Sequence, residues 1–187
     1  MIRTRNLRLA GIRLYGKEEI QMYLFGGKGR FILKSAATGI SYEYRIKQPR
    51  KTIFNGYGTI PNPKFDENTM WVTVKTDYGF KFIGTLKVEE NKYIHSKKST
   101  IDEKDSIVKG IKWLIYQFNL ETEFPTEMEF YHMGTCGCCA RSLTTPGSIK
   151  MGIGPICFER YGSERMKKLL VLKKKMEQRM KKNKITL

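Results

Sequence analysis

The chain has 187 residues, of which 40% are hydrophobic and 12% aromatic, so it can bury a core of domain size and is not disordered throughout. Its 35 Lys and Arg residues stand against 18 Asp and Glu, which gives a net charge of +17. A charge of that size favours anionic partners. Nucleic acid is the commonest, and an anionic membrane surface or an acidic protein is the alternative.

The positive charge is concentrated at the two ends of the chain. Residues 1–17 carry five cations and no acid, and residues 160–187 carry eleven cations and two acids, a net charge of about +9. This layout is common in proteins that follow a phosphate backbone. No apolar stretch is long enough for a signal peptide or a membrane span, which predicts a cytoplasmic protein.

The first half of the chain predicts antiparallel strands. Residues 20–25 are apolar but too few to assign. Residues 30–35 and 41–47 form a hairpin, in which Tyr42, Tyr44 and Ile46 alternate with polar side chains. Residues 48–66 are irregular, since Pro and Gly punctuate them. The further predicted strands are 70–75, 79–88 and 92–95.

The period changes over residues 102–119, where apolar residues recur on one face of a helix and Asp105 or Ser106 is the expected cap. A short strand over 128–131 then leads into His132. Residues 158–183 predict a second helix, with a narrow Leu and Met stripe among Lys and Arg. We expect an α+β fold in which an antiparallel β-sheet packs one amphipathic helix.

All four cysteines lie close together near the end of the chain, and clustering in a cytosolic protein favours a metal over a disulfide. Cys136 and Cys139 share one tight turn, Cys157 is a third thiol, and His132 approaches along the preceding strand. These four predict a tetrahedral structural zinc site. Cys138 is interpreted as a bystander, because adjacent residues do not easily turn toward one metal. The alternatives are that Cys138 replaces Cys136 or His132, or that Cys136 and Cys139 are a redox pair.

The segment before Cys157 predicts how the zinc module continues. Gly152 and Gly154 let the backbone pass close to the metal, and Pro155 favours entry into a helix whose first turn holds Cys157. This predicts a treble-clef-like zinc module followed by a basic C-terminal helix. The expected organisation is a basic arm and β-rich body over 1–131, the zinc module over 132–160 and a basic helical tail over 161–187.

The cysteine segment reads Cys-x-x-Cys-x-Arg-x-Leu-Thr-x-Pro-x-Ser-Ile-x-x-Gly-Ile-Gly-Pro-x-Cys over residues 136–157. It resembles a small family of phage-encoded zinc-binding proteins without a settled function. Weaker similarity extends upstream, so that the resemblance covers residues 25–160. Ala140 stands where the family usually has Gly, and Cys138 where it has a basic or polar residue. The resemblance implies a phage origin, a host-cytoplasm location and a metal, but no activity.

No catalytic layout is evident, because only two histidines are present and the Asp residues are scattered, so a non-catalytic protein is predicted. The first interpretation is a nucleic-acid binder that contacts DNA or RNA mainly through phosphates. The second is a phage interaction protein that inhibits or adapts a host protein. A membrane-surface helix is the least favoured, since its apolar face is narrow.

The aromatic residues considered for base stacking are Tyr42, Tyr44, Tyr57 and Trp71, of which Tyr42 and Tyr44 are expected in the core. The predicted phosphate contacts are Arg141, Lys150, Arg160, Arg165, Lys167, Lys168, Lys173, Lys174 and Lys175.

Overall fold

The computed structural model describes residues 11–162. Its fold is mixed α+β, with a mostly antiparallel sheet and the cysteines near the C-terminal end of the described chain. The elements in chain order are β1 (Ile12–Leu14), α1 (Lys17–Phe25), β2 (Arg30–Ser35), β3 (Ser41–Lys47), β4 (Thr52–Phe54), β5 (Thr59–Pro61), β6 (Thr69–Thr76), β7 (Gly79–Lys87), β8 (Lys92–His95), α2 (Ser106–Gln117), β9 (Met128–His132), α3 (Pro146–Met151), α4 (Pro155–Cys157) and a π-helical turn (Phe158–Gly162).

Seven strands form the main sheet in the order β1-β9-β2-β3-β6-β7-β8, and each neighbouring pair is antiparallel. The ninth strand therefore lies between the first two. Its last residue, His132, pairs with Ile12 on one side and Phe31 on the other. This insertion places the start of the cysteine segment in the middle of three paired strands.

One face of the sheet carries the hydrophobic core. Side chains such as Phe31 and Tyr44 point to this face, where they pack with α1 and α2. Phe31 stacks on Tyr44 with ring centroids 5.4 Å apart, and the buried Tyr44 hydroxyl donates to the Ile107 carbonyl at 2.8 Å. Because every second strand residue points to this core, the intervening residues form the opposite face, here called the open face. This face is exposed over most of its strands, but Ile32 and Glu43, which pair across β2 and β3, are only 1% and 3% exposed.

The strands and the helix predicted between residues 30 and 131 are present with small shifts at their ends. Asp105 caps α2, since its carboxylate accepts the Ile107 N–H at 2.8 Å. Within the span expected to be irregular, β4 and β5 form an exposed two-stranded hairpin. Residues 20–25, left unassigned from the sequence, belong to α1, and all six are buried.

Predictions for the two ends fall largely outside the described residues. The basic arm before residue 11 and the helical tail after residue 162 are among them. Within residues 11–162, no helix has the length and apolar character needed to cross a membrane.

Candidate metal centre and basic sheet face

Three of the four cysteines meet at one point. The Sγ atoms of Cys136, Cys139 and Cys157 all lie within 4.8 Å of one another, and no disulfide joins them. A cluster of this kind could hold a metal ion. Three thiols are the donor set that thiophilic metals, zinc among them, select.

The chain around Cys136 forms a tight hairpin that aims thiols inward. Thr135 pairs with Ser142, and the Cys136 N–H donates to the Arg141 carbonyl at 2.8 Å. The Ala140 N–H donates to the Cys136 carbonyl at 2.9 Å. Ala140 closes the turn with φ of +63°, a left-handed conformation that an L-residue adopts at a cost of about 1–2 kcal/mol.

Backbone amides converge on the Cys136 sulfur. The Gly154 N–H lies 3.4 Å from Sγ, and the N–H groups of Cys138 and Cys139 also hydrogen-bond to it. A hydrogen bond from the Cys138 side chain, followed by these amides, lowers the pKa of Cys136 to about 4. Burial raises the pKa of Cys157 to about 11, together with hydrogen bonding to Cys139. The cluster thus favours a thiolate at Cys136, the form that binds metal.

His132, the predicted fourth ligand, is not brought into this cluster. Its ring is fully buried, its Nε2 lies 2.8 Å from the Ile149 carbonyl oxygen, and its Nδ1 accepts the Gly134 N–H at 3.2 Å. Both ring nitrogens are therefore hydrogen-bonded to backbone groups: the protonated Nε2 donates to a carbonyl, and Nδ1 accepts from an N–H. Burial lowers the pKa of His132, which keeps it neutral. His132 thus connects β9 to α3 and is not among the residues that the structure groups as a metal cluster.

Cys138 lies beside the cluster and is partly exposed. Its side chain hydrogen-bonds to Cys136 and packs on the small apolar group of Met22 and Ile153 that backs the thiols. It is not within 4.8 Å of all three other sulfurs. The sequence interpretation of Cys138 as separate from the three-thiol set agrees with this placement.

The cysteine hairpin is held against α1 by backbone-to-backbone contact. The Gly137 carbonyl accepts the Lys28 N–H at 2.8 Å, and a side chain at Gly137 would meet the Tyr23 ring at 2.9 Å. Gly152, with φ of +70°, likewise leaves no space, since a Cβ there would lie 2.7 Å from the Tyr23 ring. The Tyr23 ring also tilts against His132 at 5.5 Å. These contacts join the cysteine segment rigidly to the core of the sheet.

The predicted phosphate contacts divide into two groups. Arg141, Lys150 and Arg160 are exposed side chains around the cysteine segment. The other six, from Arg165 to Lys175, lie outside residues 11–162. Arg160 begins the basic segment only three residues after Cys157.

Sequence reasoning missed a third basic region, on the open face of the sheet. Three carboxylates pair with its cations: Glu129 accepts Arg13 at 3.0 Å and Lys34 at 2.9 Å, the buried Glu43 pairs with Arg30 and with Lys75 at 3.5 Å, and Asp66 pairs with Lys87 at 3.0 Å. The strand register places eight cations on this face, namely Arg13, Arg30, Lys34, Arg45, Lys47, Lys75, Lys87 and Lys92. The signal available in the sequence was the alternation of cations with apolar residues along β2, β3 and β6.

Aromatic side chains share the open face with these cations. Trp71 and Phe82 are each 37% exposed, and Phe80 lies under the Arg45 guanidinium at 3.7 Å from its ring centroid. By contrast, Tyr44 is fully buried, and Tyr42 packs against the core with its hydroxyl 2.6 Å from Ser106. The core placement expected for both tyrosines is therefore observed. Tyr57, a further stacking candidate, is 99% exposed beside the β4–β5 hairpin.

Comparison with known proteins finds similarity in the cysteine segment. A family model described as a family of unknown function (DUF6011) matches residues 126–162. No curated protein and no solved structure matches the chain. The chain is thus similar, over β9 and the three-thiol cluster, to a family whose function is not known.

Proposed function

We propose that this chain is a non-catalytic, phage-encoded zinc protein that binds nucleic acid mainly through phosphates. The observation that carries the proposal is the three-thiol cluster next to the most basic segment of the chain. Cys157 supplies one thiol, and eleven cations follow from Arg160 onward. A metal at this cluster would fix where the basic segment leaves the sheet.

The zinc part of the proposal is supported by the donor chemistry. Cys136, Cys139 and Cys157 would hold the ion, and the amides aimed at Cys136 would stabilise its thiolate, as is usual around zinc-bound sulfur. Pro155 at the first position of α4 places Cys157 in a first helical turn. This supports a treble-clef-like arrangement, in which a hairpin and a helix start share one ion. The ion would stabilise a segment with little apolar core of its own.

The nucleic-acid part is supported by charge. The ends of the chain are strongly basic, and the open face adds a third basic region whose carboxylates are already paired. Phosphate-dominated binding of this kind releases counterions, so we expect a steep salt dependence and little sequence preference. The predicted basic tail helix would add contacts along the backbone.

The test is fluorescence anisotropy of nucleic-acid-free protein with labelled single- and double-stranded DNA and RNA, from low to physiological salt. The full chain is compared with a chain ending at Gly162, which keeps the described residues and removes ten of the cations. Sub-micromolar binding that weakens steeply with salt and falls without the tail supports the proposal.

Absence of binding to every polymer near physiological salt would refute the nucleic-acid function. The interaction-protein alternative, with a host protein as target, would then be tested by pull-down from host lysate. Metal content is measured in parallel on the purified full chain, because a metal-free protein that still folds and binds would refute the structural zinc.

A further inference from the structure

We propose that the open face is a binding platform for single-stranded nucleic acid, on which bases stack against Trp71 and Phe82 and phosphates contact Arg30, Lys47 and Lys75. This inference rests on the proposed nucleic-acid function and adds to it a strand class and a surface. It concerns residues within 11–162, whereas most of the basic tail lies outside the described residues.

Charge complementarity identifies an anionic occupant. Eight cations lie on the open face. Glu43 and Glu129 are each shared by two of these cations, and Asp66 pairs with Lys87. The face therefore keeps a net charge of about +5 at neutral pH, taking each side chain at its usual charge. Glu43 is only 3% exposed and lies between Arg30 and Lys75, so it orients both cations without offering a carboxylate to the surface.

The opposite side of the molecule lacks this excess. The exposed acids Glu89 and Glu90 lie in the turn between β7 and β8, and the exposed Glu121 lies on the connection that follows α2. On α2 itself, Lys112 is paired with Glu103. The charge of the described residues is thus segregated, with the open face as its basic side. The electrostatic attraction of a polyanion to the described residues is therefore strongest at the open face.

Exposed aromatic rings distinguish this face from a generic basic surface. Trp71 pairs with Thr85 across the β6–β7 ladder and Phe82 pairs with Thr73, so the two rings occupy neighbouring diagonal positions. A register shift between Val72 and Thr73 lies between these two positions on the ladder. Exposed rings on a sheet, interleaved with cations, are the usual means of binding unpaired bases.

This combination selects single strands over duplexes. A duplex keeps its bases stacked inside and presents phosphates alone, so Trp71 and Phe82 would find no partner there. A single strand can place bases on both rings while its phosphates reach Lys47 and Lys75, which are exposed beside them. The face therefore gains stacking only from an unpaired strand.

The first experiment follows Trp71 directly in the full-length protein. The chain has two tryptophans, Trp71 and Trp113. Trp113 belongs to α2, is partly buried and packs against Phe124. In the Trp113→Phe protein, fluorescence therefore reports on the open face. We expect an oligothymidylate to quench it over the same concentrations that saturate anisotropy, and the matching duplex to bind more weakly.

Variants then separate stacking from charge. Trp71→Leu should weaken single-strand binding by about tenfold, the effect of losing one stacked base, and should leave duplex binding unchanged. Tyr116→Leu is the matched control, because Tyr116 is 58% exposed on α2. Lys47→Glu should weaken binding several-fold and reduce its salt dependence, whereas Lys109→Glu, the same charge change at an exposed site on α2, should have little effect.

Unchanged Trp71 fluorescence at saturation, or equal effects of Lys47→Glu and Lys109→Glu, would overturn the platform while leaving the proposed function in place. Equal affinity for single strand and duplex would also overturn it. Circular dichroism and thermal melting of each variant show whether the sheet is intact. No binding by the wild-type chain to any polymer would instead refute the proposed function itself.

Discussion

Replacing His132 distinguishes a metal ligand from a residue that bridges β9 and α3. A metal ligand would leave the metal when replaced, whereas a residue that bridges β9 and α3 would leave it in place and weaken the fold. In the structure the imidazole connects the Ile149 carbonyl with the Gly134 N–H and touches the Tyr23 ring. His132→Ala removes all three interactions at a fully buried site.

The expected loss in unfolding free energy is about 3 kcal/mol. Each of the two hydrogen bonds contributes about 1 kcal/mol, and the ring contact with Tyr23 contributes about as much. In His132→Ala the Ile149 carbonyl would keep a second, longer hydrogen bond from the Gly152 N–H at 3.3 Å. The carbonyl is therefore not left without a donor, which limits the loss of stability. His95→Ala is the matched control: His95 is partly exposed, its Nδ1 lies 3.3 Å from the Tyr93 hydroxyl, and its loss should cost less than about 1 kcal/mol.

The assay combines chemical denaturation with cobalt substitution, because cobalt in a thiolate site absorbs visible light in a way that depends on each ligand. At saturating cobalt, His132→Ala should bind one equivalent and reproduce the wild-type spectrum. A shifted ligand-field spectrum, or loss of the metal, in His132→Ala but not in His95→Ala would refute the bridging role and restore His132 as a ligand.

Three further predictions concern the same segment. Cys157→Ser should lose the metal and destabilise residues 132–162, whereas Cys138→Ser should retain the metal, as measured by metal content. A fall of cobalt charge-transfer intensity in Cys138→Ser would instead show that Cys138 is a ligand. Gly152→Ala should cost at least 1–2 kcal/mol in thermal melting from its left-handed φ and the Tyr23 ring, and the exposed Gly147→Ala in α3 should cost nothing. Burial lowers the pKa of His132, so its contribution to stability is complete above about pH 6.5 and is lost as the pH falls toward the folded-state pKa. The free energy of unfolding of His132→Ala should therefore depend less on pH over this range.

The elements that the sequence predicted well are those with a clear period. Strand β6 alternates between buried and exposed residues, and α2 repeats its apolar residues at helical spacing. Strand β2 was recognised from its apolar run and the turn that follows it, since Phe31, Ile32 and Leu33 are all buried. Helix α1 lacks such a pattern, because all of residues 20–25 are buried and no polar face remains. Strand β1 is too short to recognise alone, since its pairing with β9 depends on residues more than a hundred positions away.

The three-thiol cluster was predictable in part for a similar reason. Cys136 and Cys139 are neighbours in sequence, so their spacing reveals their common direction, and Cys157 follows from the helix entry at Pro155. The direction of the His132 ring depends instead on α3, which supplies the Ile149 carbonyl. The open face was not recognised because its cations are spread over most of the strands of the sheet. Only the register brings them together.

The position of β9 between β1 and β2 also has consequences for how the chain folds. Synthesis delivers β1, α1 and β2 first, yet these strands cannot complete their ladders until residue 132 has been made. Pairings of such long sequence separation form slowly. Until β9 arrives, β3 can pair one edge of β2, while the other edge is exposed to pairing with other chains. A nascent or truncated chain lacking β9 should therefore aggregate through β2. Because the cysteine hairpin directly follows β9, closure of the sheet would come just before the thiols meet.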